Sequence, residues 1–67
     1  MSITQHVEVA AAGLGLPRLE GLRYMRSHYI WRAWKQRGEP AEVAAWVLRA
    51  RIAHALVMGR TPPQVAA

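Results

Sequence analysis

Apart from Gly21, glycine and proline fall at three points of this chain and cut it into three proline-free runs. Gly13, Gly15 and Pro17 form the first break, Gly38 and Pro40 the second, and Gly59 with Pro62 and Pro63 the third. Proline lacks the amide proton that a helix interior needs, and it turns the residue before it away from helical conformation. Glycine readily adopts the left-handed turn with which helices end. Any fold must therefore use segments of roughly ten to twenty residues, the ordinary length of globular helices.

Each run carries helix signals. Ser2 and Gln5 have capping-box spacing, so the Ser2 hydroxyl can accept from the Gln5 amide while the Gln5 side chain reaches back. Ile3, Val7, Ala10 and Leu14 then recur on one helical face, which predicts helix 1 over residues 3–13. Pro17 suits the first turn of helix 2, and Glu20 complements its positive N-terminal end. That helix is expected to run from Arg18 to Arg37 and stop at Gly38, with Gly21 as its only internal glycine. Pro40, with Glu39 and Glu42, opens helix 3, which should reach Met58 and end at Gly59. No run alternates in the period of two that a strand requires. The reading is all-α: one three-helix domain over residues 1–60 and an extended, proline-containing tail over 61–67.

At 67 residues the chain has room for one domain with a marginal core, and small domains commonly add disulfides, a metal or a partner. Cysteine is absent, which removes disulfides and thiolate metal sites and fits a cytoplasmic protein. The N-terminus has neither a basic segment nor a long apolar run, so no secretory signal is expected. The most apolar stretch, Val43 to Met58, contains Arg49, Arg51 and His54. An arginine near a bilayer centre costs about 2.5–3.5 kcal/mol, so no membrane span is expected.

Catalytic chemistry is sparsely represented. His6, His28 and His54 lack metal-ligand spacing, so neither a metal nor another cofactor is expected. The acidic residues are four glutamates, too few and too scattered for a triad or an acid–base pair. Gly13-Leu14-Gly15 is too short for a phosphate-cradling loop. The chain reads as a binding protein without enzymatic activity.

The formal net charge is +5, and helix 2 alone accounts for it. Arg18, Arg23, Arg26, Arg32, Lys35 and Arg37 stand against a single acid, Glu20. Leu19, Leu22, Met25, Tyr29, Ile30, Ala33 and Trp34 gather on one broad side of this helix and form its expected core stripe. Tyr24, His28, Trp31 and Lys35 follow on the other side, with Arg32 beside them. Aromatic rings can stack on bases while cations meet phosphate. The candidate nucleic-acid or partner contacts are therefore Arg18, Arg23, Tyr24, His28, Trp31, Arg32, Lys35 and Arg37. The bland alternative is that another segment folds over Tyr24 and Trp31, and that the arginines merely lay their stems on the core edge.

Ala11, Leu14, Gly15 and Leu16, followed by a helix beginning near Pro17, are similar to the helix–turn–helix rhythm, in which helix 2 would read the major groove. Gly21 departs from that pattern, because an apolar packing residue is expected there. Gln36 is the one amide side chain near this helix, so base readout would rest on arginine.

Helix 3 is apolar nearly all round. Val43, Trp46, Val47, Ala50, Ala53 and Val57 lie on one side, and Ala45, Leu48, Ile52, Ala55 and Leu56 on the other. Such a helix should be buried all round. Trp46, Leu48, Ile52 and Leu56 are the expected oligomer or partner interface, unless helix 3 is simply central in the monomer. Two functions follow: a small basic regulator binding nucleic acid through helix 2 as a homodimer, or an accessory, adaptor or inhibitor docked through helix 3 on a larger, acidic protein.

Overall fold

The computed structural model describes residues 1–64 and contains three helices: α1 (Ile3–Ala12), α2 (Arg18–Lys35) and α3 (Pro40–Val57). There is no strand among the described residues. Residues 61–64 continue beyond α3 without regular structure, and the last three positions of the expected tail lie outside the described residues.

The helix ends follow the local chemistry. Ser2 Oγ accepts from the Gln5 amide at 3.1 Å. Gln5 Oε1 accepts from the Ser2 amide at 2.8 Å and completes the capping box. α3 ends in a glycine-dependent cap, with Gly59 at φ 68°. The Arg60 amide donates to Ala55 O at 2.8 Å, and the Gly59 amide donates to Leu56 O at 3.3 Å. α2 ends two residues short of the expected Arg37. Its chain turns off through the bonds Arg37 N to Trp34 O and Glu39 N to Gln36 O, so Gly38 is passed in a turn rather than used as a left-handed stop.

α2 and α3 form an antiparallel hairpin: Trp46 faces Tyr29 and Gln36 near the connecting turn, while His54 faces Arg26 further along. The shorter α1 docks on this pair. The core is Val7 and Ala11 from α1, Leu22, Met25 and Tyr29 from α2, and Ile52 and Ala53 from α3. Leu22 and Ile52 are fully buried. Burial of one such side chain contributes about 1.5–3 kcal/mol.

Only part of the expected α2 stripe belongs to this core. Leu22, Met25 and Tyr29 are buried and Ala33 is half-buried, but Leu19, Ile30 and Trp34 are exposed. The reason is coverage. An apolar arc as wide as the one on α2 needs neighbours on both flanks. The ten-residue α1 is little more than half the length of α2 and covers only one of them. Along α1, Val7 is buried and Ile3 and Ala10 pack against the core, whereas Leu14 lies beyond the helix and is exposed.

Candidate nucleic-acid interface

The outward side of α2 displays aromatic rings that the fold does not use. Tyr24 is 56 % exposed, Trp31 49 % and Trp34 63 %. An indole normally ends up well covered because it carries a large apolar area, so two half-open indoles on one helix make this face a candidate contact surface. No part of α1 or of the described tail is folded over Tyr24 and Trp31.

Two of these rings hold a cation. Lys35 Nζ lies 4.8 Å from the Trp31 centroid, the pairing expected one turn apart on a helix. The Arg37 guanidinium lies 4.2 Å from the Trp34 centroid and is anchored by an Nη1 hydrogen bond to the Trp34 carbonyl, 3.1 Å. His28 is half-buried, its ring 6.0 Å from Trp31 and 5.8 Å from Tyr29. Tyr24, Ser27, His28 and Trp31 together line a shallow recess. Arg23 is exposed on the same outward side.

Two other expected contact residues are engaged elsewhere. Arg18 Nη2 donates to Glu8 Oε1 at 2.6 Å, linking α1 to the start of α2. Arg32 turns to the opposite flank, its guanidinium 4.6 Å from the Trp46 centroid, with Nε buried and unpartnered among the described residues. Its neighbourhood is a clasp near the hairpin turn. Tyr29 stacks on Trp46 at 6.0 Å and 27°, Trp46 Nε1 donates to Gln36 Oε1, and Arg49 approaches the same indole at 5.2 Å. Burial pushes the Tyr29 phenol above its ordinary pKa, and Arg49 offsets part of that rise.

The residues of the expected helix-3 interface pack largely against the core of the chain itself. Ile52 has no exposed surface, and Trp46, Leu48 and Leu56 are half-buried against the same core. Most of the apolar surface expected to seek a partner is spent within the chain. Val47, 40 % exposed, is the large apolar side chain of α3 that stands most open.

Reading the sequence placed Trp34 in the core stripe and missed its exposure, because it lies at the edge of the apolar arc. The signal was present in a cation three residues on, Arg37, at helical spacing like that of Lys35 four residues after Trp31. Among the described residues no three histidine, aspartate or glutamate side chains converge as metal ligands, and no helix is long and apolar enough to cross a membrane. Compared with known proteins, the chain matches no family model, no curated protein and no solved structure.

Proposed function

We propose that this chain is a small nucleic-acid-binding protein that grips single strands through the outward face of α2. One observation carries the reading: Tyr24, Trp31 and Trp34 stand open on that face, with Lys35 and Arg37 held against two of the rings. Open rings suit unpaired bases, whose faces are free to stack, better than duplex, whose base faces are already covered. The cations then meet the phosphates between stacked bases. The one amide side chain near this surface, Gln36, is committed to Trp46, so base edges have no Asn or Gln to read them. Binding is therefore sequence-tolerant. The face lies within one chain and needs no second copy, and a cytoplasmic setting agrees with the cysteine-free sequence.

The test is a fluorescence titration of the full chain with an unstructured oligothymidine and with a mixed-sequence duplex over a range of salt. The expected result is tryptophan quenching, a preference for the single strand, and affinity that falls as salt rises. Equal or weaker binding to the single strand, with unchanged tryptophan emission, sinks the proposal.

A further inference from the structure

A second open surface lies away from the aromatic face. A groove of about 520 Å³ runs between α2 and α3, and no residue of α1 lines it. Its walls come from Ile30 and Ala33 on one helix and Val47 and Ala50 on the other, and their spacing is that of helix surface rows. Ile30 is 57 % exposed although apolar. The small Ala33 and Ala50 leave room for a third backbone to approach closely. At its rim stand Arg26, Arg51 and Arg60, with no acidic residue in the lining. Arg26 Nη1 hydrogen-bonds His54 Nδ1 at 3.0 Å, so this arginine is oriented without being neutralised.

We propose that this groove receives an amphipathic helix of a partner protein, its apolar row seated on Ile30, Ala33, Val47 and Ala50 and its flanking carboxylates paired with Arg26, Arg51 and Arg60. The occupant is a helix because two helices with ridges at this spacing accept a third by interdigitation, and no sheet edge is on offer among the described residues. It is acidic because the rim is basic throughout. That same rim argues against a second copy. A symmetric contact would place the arginines against one another, and a chain of net charge +5 supplies no acidic amphipathic helix of its own. Of the four glutamates, Glu8 already pairs with Arg18, and the others lie at helix starts. The inference does not rest on the nucleic-acid reading, because the groove and the Trp31 face share no residue.

The experiment is an NMR titration of the isotopically labelled full chain with designed helical peptides of about 20 residues. One carries a leucine–alanine row flanked by glutamates, and its twin has lysines in their place. The glutamate peptide should produce saturable shifts at Ile30, Ala33, Val47 and Ala50 and bind about tenfold more tightly than the twin. Val47→Glu, at an exposed position that the core does not need, should abolish the shifts. Arg51→Glu combined with Arg60→Glu turns the three-arginine rim net negative and should invert the preference between the peptides, which loss of folding cannot do. Equal affinity for both peptides overturns the proposal, as do shifts confined to the Tyr24–Lys35 face. Concentration-dependent shifts at Val47 and Ala50 without peptide overturn it in favour of self-association.

Discussion

Gly21 lies against the backbone of Ala11 so closely that a Cβ at this position would sit 2.8 Å from the Ala11 carbonyl oxygen. The contact fixes how near α1 approaches α2, and through that approach Val7 and Ala11 reach the core. Gly21→Ala sets two effects against each other. Alanine is better than glycine in a helix by about 1 kcal/mol. Overlap with a backbone oxygen cannot be relieved by a rotamer change, and overpacking of this kind costs about 1–3 kcal/mol. The steric term should win, so the variant loses stability in urea unfolding followed by circular dichroism. Gly38→Ala meets open space at an ordinary φ and should be neutral or slightly stabilising by the same measurement.

Gly21 also shows where sequence reasoning stops. The helix count, the capping box of Ser2 and Gln5 and the Gly59 stop are local, and local spacing encodes them. Gly21 was legible only as a departure from the helix–turn–helix rhythm, because its purpose is a contact with a residue of another helix. The same limit governs the candidate site. The side of α2 bearing Tyr24 and Trp31 follows from periodicity alone. The exposure of Ile30 and Trp34 does not, since it depends on how much of a wide apolar arc a short neighbour covers. The withdrawal of Arg32 to Trp46 depends on where α3 places that indole.

The indoles of the open face separate from Trp46 by what their loss does. Alanine at Trp31 or Trp34 removes a ring that contributes little to the core, so stability should stay within about 0.5 kcal/mol, as for other surface changes. If these rings stack on bases, each loss should weaken binding to oligothymidine by about 1–3 kcal/mol. Trp46→Ala should do the reverse. It removes a half-buried ring together with its stacking on Tyr29 and its bond to Gln36. A fully buried tryptophan cut to alanine costs about 3–5 kcal/mol, so this half-buried one should cost about 2 kcal/mol of stability. Parallel denaturation and binding measurements on the three variants check this division.

Salt dependence should distinguish the open cations from the paired one. Each single-strand phosphate neutralised contributes about −0.7 to the slope of log affinity against log salt. Lys35→Ala and Arg37→Ala should each flatten that slope by about this amount. Arg18→Ala should leave it nearly unchanged, because Glu8 already neutralises Arg18. What Arg18→Ala loses is an exposed ion pair, worth under about 1 kcal/mol of stability. A slope equally sensitive to Arg18 and Lys35 would move the contact off the outward face.

Tyr29 gives the fold an alkaline limit, and the direction follows from its burial. The phenol is raised above its ordinary value of 10.0, first by desolvation and against a smaller opposing pull from Arg49. As pH rises past the ordinary value, the unfolded chain loses this proton while the folded chain still holds it. The unfolded state then binds fewer protons, so stability is unaffected below that value and falls above it. Tyr29→Phe keeps the ring that stacks on Trp46 but removes the titrating group. Comparison of urea unfolding at about pH 9 and about pH 11 should show a steeper loss in the parent chain than in Tyr29→Phe. Equal losses in the two proteins would mean that the folded chain ionises Tyr29 as readily as the unfolded one, and that the stack on Trp46 opens to water.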